Sequence, residues 1–201
     1  MNNEIENNKV FLQGYVEDEP EFNHKVKDEE FYSFNLKVPR LSGQFDMIPI
    51  IISKQLLDVH GIKKGDKIAL HGQFRSHNKL EGEKRKLILS VFVKSVEPWD
   101  ENVNSNIVEL DGYICKPSIY RTTPFSREIC DVLLAVNRNF NKSDYIPCIA
   151  WGANALAVSK MPVATSIKIL GRIQSREYNK QTENGIETKT AYEVSISQLL
   201  N

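Results

Sequence analysis

The chain has 201 residues, 41% hydrophobic and 26% charged, with 26 basic and 26 acidic side chains giving a formal net charge of zero. That length holds one large domain or two small ones. The charge is even along the chain, 15 basic against 16 acidic in residues 1–100 and 11 against 10 in 101–201. No bulk positive field is present for a duplex binder that relies on phosphate contacts, whereas a single-strand binder needs only rings and a local basic groove.

Residues 10–16 read as a strand whose interior Gly14 marks a bend of the kind small barrels need. Residues 17–30 are charged and turn-rich. From Phe31 to Arg40 the pattern alternates, with Tyr32, Phe34, Leu36 and Val38 on one face and Ser33, Asn35 and Lys37 on the other. That is a half-buried strand. A third strand runs over 45–52. Ser53 then caps a short helix over 54–60, which Gly61 stops. A fourth strand covers 67–75, a basic loop spans 78–84, and a fifth strand covers 87–96. Five short strands with one helix after the third match the OB-fold, a small Greek-key barrel that binds oligonucleotides and oligosaccharides.

The second half repeats the plan. Val108-Glu-Leu-Asp-Gly112-Tyr-Ile mirrors Val10-Phe-Leu-Gln-Gly14-Tyr-Val, an offset of 98. Arg138 against Arg40, Asp144 against Asp46 and Pro147 against Pro49 keep that offset, and Gly171 against Gly72 shifts it to 99. An offset held this long signals an internal repeat. The expected fold is therefore all-β, two tandem OB-fold five-stranded Greek-key barrels, each with one short helix between strands 3 and 4. The expected units are 1–98 and 107–201, joined by a polar linker over 99–106. In the second copy, Cys130, Val132, Leu134 and Val136 face inward on strand 2. The helix spans 153–160, Ile167, Ile169, Gly171 and Ile173 face inward on strand 4, a long hairpin covers 175–188, and 191–199 closes the barrel.

Strand 3 of the second copy, 144–152, is the informative stretch. Side chains alternate across a strand, so Ile146, Cys148 and Ala150 share one face while Tyr145, Pro147, Ile149 and Trp151 share the other. Two large rings about 20 Å apart, at ~3.3 Å per residue, then lie opposite the small apolar side. Such a face suits stacking on nucleobases; the alternative is packing against a partner domain.

Catalysis is not expected. The histidines His24, His60, His71 and His77 are scattered, and no metal-ligand spacing, glycine-rich phosphate loop or nucleophile motif occurs. Three cysteines, Cys115, Cys130 and Cys148, without a Cys-x-x-Cys pair, fit neither a disulfide framework nor a zinc site. Cys130 and Cys148 read as buried thiols in a reducing cytosol, which implies a cytoplasmic protein with no cofactor. The N-terminus does not resemble a signal peptide, and no apolar run reaches the ~20 residues that span a bilayer. Binding residues are plentiful instead. Tyr178 sits at the base of the long hairpin, with Arg172, Arg176 and Lys180 around it. Arg121, Arg127, Arg138 and Lys142 fall in the loops around strand 2. Rings interleaved with cations are what a single-strand groove requires.

The runs Asp144-Tyr-Ile-Pro-Cys-Ile-Ala-Trp-Gly152, Ala135-Val-Asn-Arg138 and Gly171-Arg-Ile-Gln-Ser-Arg-Glu-Tyr178 resemble those of the bacterial single-stranded DNA-binding protein family. The resemblance covers about 107–199. It implies non-sequence-specific binding of single-stranded DNA in replication, recombination or repair, with Tyr145, Trp151 and Tyr178 stacking on bases and Phe140 near a further stacking position. Four OB-folds commonly make one unit in that family, so two per chain imply a homodimer. In the first copy Met47, Ser53 and Lys79 stand where the three rings stand in the second. That copy keeps Arg40, Arg75 and Lys84-Arg85-Lys86, suiting it to phosphate contact or assembly. The chain ends Ser197-Gln-Leu-Leu-Asn201 rather than in the acidic tip that recruits replication proteins in typical members. The alternative reading is an adaptor similar to primosomal replication protein N, which shares the fold but engages protein partners.

Overall fold

A computed structural model describes residues 6–82, 84–182 and 185–200; the side chains of residues 81, 84, 85, 180 and 182 lie outside the description. The elements in the first half are β1 (Asn8–Val16), β2 (Glu21–Val26), β3 (Glu29–Pro39), β4 (Phe45–Ser53), α1 (Lys54–His60), β5 (Lys67–Glu81) and β6 (Lys84–Glu97). Those in the second are β7 (Asn106–Ile114), β8 (Ile119–Thr122), β9 (Glu128–Arg138), β10 (Lys142–Trp151), α2 (Gly152–Ser159), β11 (Ser166–Thr182) and β12 (Gly185–Leu200).

Each half closes a ring of five strands. β1 pairs with β5 along its first part and passes to β3 at Tyr15↔Lys37 and Val16↔Leu36. β3 pairs with β4, β4 runs parallel to β6 at Ile50↔Val91, and β6 returns to β5. The second ring repeats this through β7–β9, β9–β10, parallel β10–β12 at Cys148↔Val194, β12–β11 and β11–β7. A strand that leaves one partner for another must bend hard, and Gly14 sits at that bend. A Cβ there would stand 2.6 Å from the Lys37 carbonyl oxygen, and at Gly112 2.8 Å from that of Ala135. Alternation fills the interiors. Leu12, Leu36, Ile48, Ile50, Leu70, Phe74 and Val91 are fully buried in the first ring, as are Leu110, Leu134, Ile146, Ile169 and Val194 in the second.

The sequence expectation missed β2 and β8, which lie in stretches read as charged turns. All six residues of β2 and all four of β8 are exposed, so neither has a buried face to produce alternation. The loops expected at 78–84 and 175–188 are also strand. β5 and β6 stay paired out to Glu81↔Lys84, and β11 and β12 out to Thr182↔Gly185. These ribbons extend past the barrel walls, where nothing imposes an inside.

The two halves share one twelve-stranded sheet through β1 and β7. Their antiparallel register sets Val10 opposite Val108, its counterpart at the offset of 98. A local two-fold axis therefore passes between these valines. Buried amides repeat about it. Asn8 Nδ2 donates to the Phe74 carbonyl and its Oδ1 accepts from the Phe74 N–H, both at 2.8 Å. Asn106 clasps Ile173 in the same way at 2.7 and 2.9 Å. The segment before β7 is tied back to the first ring. The Gln13 side chain donates to the carbonyls of Asp100 and Val103 and accepts from the Asp100 N–H. Trp99 lies against Tyr15, with ring centroids 5.7 Å apart.

Candidate nucleic-acid interface

The outer face of the second ring follows from strand parity. Ile149 on β10 stands opposite Ser195 on β12, and Ser195 opposite Arg172 on β11. Alternation then puts Tyr145, Pro147, Ile149 and Trp151 on one surface with Glu193, Ser195, Arg172, Gln174, Arg176 and Tyr178. Across β9, Asp131 pairs opposite Ile149, and Arg121 on β8 opposite Ile129. Three hydrogen bonds within this surface agree with the assignment. Trp151 Nε1 donates to Ser195 Oγ at 3.0 Å, Gln174 Nε2 to Glu193 Oε1 at 2.6 Å, and Arg121 Nε to Asp131 Oδ2 at 2.9 Å.

The rings on this surface are available. Tyr145 is 44% exposed and Tyr178 40%, while Trp151 is half-buried with its indole held by Ser195. Ile149, expected on the same face, is buried there, so the floor between the two rings of β10 is closed. Both carboxylates of the surface, Asp131 and Glu193, are already hydrogen-bonded to neighbours. Arg176 is exposed beside Tyr178.

The other residues expected at the site divide by place. Phe140 and Lys142 project from the β9–β10 turn, Phe140 with 88% of its surface exposed. Arg138, in the same turn, is turned inward; its Nε lies 3.1 Å from Asp144 Oδ2. Arg40, its counterpart in the first half, donates from Nε and Nη2 to Asp46, and from Nη2 to the Ser175 carbonyl at 3.0 Å. These two guanidinium groups are engaged with buried carboxylates. Arg127 is exposed at the base of the β8–β9 turn, where its N–H donates to Thr123 Oγ1. Arg75 lies on β5, its guanidinium 3.9 Å from the Phe92 ring centre and donating to Gln73 Oε1. Lys79 is exposed farther along β5. The side chains of Arg85 and Lys180 lie outside the described residues.

Residues 105–200 match the family model described as the single-strand binding protein family. That half of the chain belongs to the single-strand binding protein family. Two curated relatives are similar over 83 residues, which is 38% of this chain. They are single-stranded DNA-binding protein 3 of Streptococcus agalactiae serotype V, 32% identical over 60% of its own length, and single-stranded DNA-binding protein 1 of Streptococcus pyogenes serotype M18, 36% identical over 64% of its own length. The chain thus spans under two thirds of the length of these relatives. The crystal structure of the wild-type single-stranded DNA binding protein from Thermus aquaticus shares the fold across both halves. Its TM-score is 0.72 at 20% identity, covering 96% of this chain and 91% of that one.

Within this family unit, three features escaped the sequence. Phe125 is 86% exposed in the β8–β9 turn, and Tyr120 on β8 is 39% exposed; both sit in the stretch whose strand was missed. The third is a pair of contacts between the halves. Asp144 is wholly buried. Its Oδ1 accepts from the Ser76 N–H at 2.6 Å, and Ser76 Oγ accepts from the Tyr145 N–H at 2.8 Å. Burial pushes the Asp144 carboxyl above its ordinary value, while the Ser76 N–H and Arg138 pull it down. About the two-fold axis, Asp46 accepts from the Ser175 N–H at 2.7 Å, and Ser175 Oγ accepts from the Met47 N–H at 3.2 Å. Each ribbon therefore crosses onto the neighbouring ring, and the first half's β5 fixes the backbone beside Tyr145. One signal was present in the sequence, an aspartate heading the inward row of strand 3 in both copies.

The first half has a different outer face. A groove of about 550 Å³ runs over Ser33, Asn35, Pro49 and Ile51, with Asp18, Glu19 and Glu21 on one side and His77, Lys79 and Lys86 on the other. Ser53, where Trp151 stands in the second half, is buried and caps α1 by accepting from the Leu56 N–H.

Proposed function

We propose that this protein is a tandem OB-fold protein that binds single-stranded DNA without reading its sequence. The second half supplies the stacking surface; the units are residues 1–98 and 107–201, with 99–106 between them. Tyr145, Trp151 and Tyr178 take bases, while Arg121, Arg172, Arg176 and Lys142 meet phosphates. The observation that carries this reading is the single outer surface on which Tyr145, Trp151, Tyr178, Arg172 and Arg176 share strand parity. Rings and cations on one face suit an unpaired strand, whose bases stack whatever their identity. The family's printed name and those of its relatives point the same way. We assign no catalysis, cofactor or metal. Two copies of the plan per chain suit a homodimer of four barrels, acting in the cytoplasm in replication, recombination or repair.

The test is a titration with oligo(dT), followed by tryptophan emission and by the anisotropy of a labelled strand. Trp151→Ala is expected to weaken binding by about 1–3 kcal/mol, and affinity is expected to fall as salt rises. An unchanged affinity in the variant would remove Trp151 from the site.

A second reading is favoured by the acidic wall of the first half's groove, which repels a phosphate chain. In that reading the first half engages replication proteins, as an adaptor does. Retention of a defined replication protein at high salt, with weak oligonucleotide binding, would support it over the first.

A further inference from the structure

Between the halves lies a cleft of about 270 Å³. Gln73, Arg75 and Lys94 of the first half form one wall, and Arg138, Phe140 and Lys142 of the second form the other. Its floor is pinned by Asn7, whose Nδ2 donates to the Asn137 carbonyl at 2.8 Å. Four cations thus face a space large enough for part of a nucleotide. Arg75 is held in place by Gln73 and by the Phe92 ring rather than left to swing. Phe140 takes a left-handed backbone, φ +64°, followed by Asn141 at +53°. For a bulky aromatic this conformation is strained, and the ring is 88% exposed.

The two-fold relation supplies a control within the same chain. At the offset of 98, the positions of Asn139, Phe140 and Lys142 are taken by Leu41, Ser42 and Gln44 in the first half's turn. At 99, that of Arg75 is taken by Gln174. The counterpart cleft keeps Arg40 and Arg172, and both reach toward Asp46. Ring and cations are therefore concentrated on one side of the axis only. That side also continues the stacking surface: Tyr145 lies three residues beyond Lys142 on β10, and its backbone is held by Ser76, next to Arg75.

We propose that this cleft is a nucleotide site between the halves. The unpaired strand leaves Tyr145, lays a base on Phe140, and sets a phosphate between Lys94 and Arg75 on one wall and Lys142 on the other. The inference rests on the reading of the second half as a single-strand surface. It gives the first half a direct part in binding, through one wall and without stacking rings of its own.

Anisotropy titrations of the full chain with labelled oligo(dT) of about 8 and about 16 nucleotides, within the range of OB-fold site sizes, test it. Lys94, Phe140 and Lys142 are exposed, so Lys94→Ala, Phe140→Ala and Lys142→Ala are expected to fold. In each, the gain in affinity from the shorter to the longer strand is expected to shrink about fivefold, the scale of one exposed ionic contact. Each lysine variant is also expected to lower the slope of log K against log salt by about 0.7 for the longer strand. A gain and a slope unchanged in both lysine variants would overturn the site while leaving the stacking surface intact. Wild-type protein that binds neither strand would overturn the stacking surface and the cleft together.

Discussion

Asp144 shows how much one side chain can hold. It is buried, it accepts from the Ser76 N–H, and it lies beside Arg138, so it joins two halves of the chain and steadies the backbone next to Tyr145. Its carboxyl keeps a proton to higher pH in the folded chain than in the unfolded one, because burial outweighs its partners. As pH climbs from the ordinary aspartate value of 3.8, the unfolded chain releases that proton first. Over that window the folded state binds more protons, so the contribution of Asp144 to stability falls as pH rises. Asp144→Asn retains an acceptor for Ser76 and removes the titration. The melting temperature of the variant relative to wild type is expected to be more favourable at pH 7 than at pH 4. A difference that stays constant across that range would show that the group does not titrate as its burial implies. The residue was visible in the sequence only as an aspartate in an otherwise apolar row. Its partner lies 68 residues away, and no local pattern carries a contact of that kind.

At the scale of strands, close approach sets the limits. Gly171 sits where β11 shifts register against β12, and a Cβ there would stand 2.4 Å from the Ser195 carbonyl oxygen. Backbone cannot retreat from such a contact as a flexible side chain can. Gly171→Ala is expected to destabilise the protein by about 1–3 kcal/mol or more, read as a lower midpoint in urea. It is also expected to weaken oligo(dT) binding, because Ser195 holds the Trp151 indole. The strands that build the barrel walls were legible because each has one wet and one dry side. In β3, Phe34, Leu36 and Val38 are buried while Ser33, Asn35 and Lys37 are only half-buried. The stacking rings were legible by the same rule, since Tyr145 and Trp151 break the apolar pattern on the side away from the core. β2, β8 and the outer ends of the two long ribbons were not, because their residues face solvent on both sides and any polar sequence serves.

For the whole molecule, the shared sheet implies that the halves unfold together. β1 and β7 pair along five positions, Gln13 anchors the segment before β7, and Asp46 and Asp144 each bind the opposite ribbon. Loss of either ring would expose contacts that the other ring completes. Trp99 packs on the first ring and Trp151 reports on the second. Urea unfolding followed by circular dichroism, and by emission from single-tryptophan variants carrying either reporter, is expected to give one midpoint. Two separated midpoints would show that the contacts across the axis are too weak to couple the halves. The repeat itself was readable from the offset of 98, but the mutual crossing of the ribbons was not. It depends on which strand edges meet once both rings have closed.

The meeting of Val10 with Val108 has one more outcome. In a pair of identical chains, every substitution is made twice, and both copies of a surface must keep the same trade. Here the two partners are written into one polypeptide, so either can change alone. One has kept its rings, while the other has given up the matching positions for a serine that caps a helix and a lysine that lines a groove. Covalent fusion thus turns a symmetric scaffold into a division of labour.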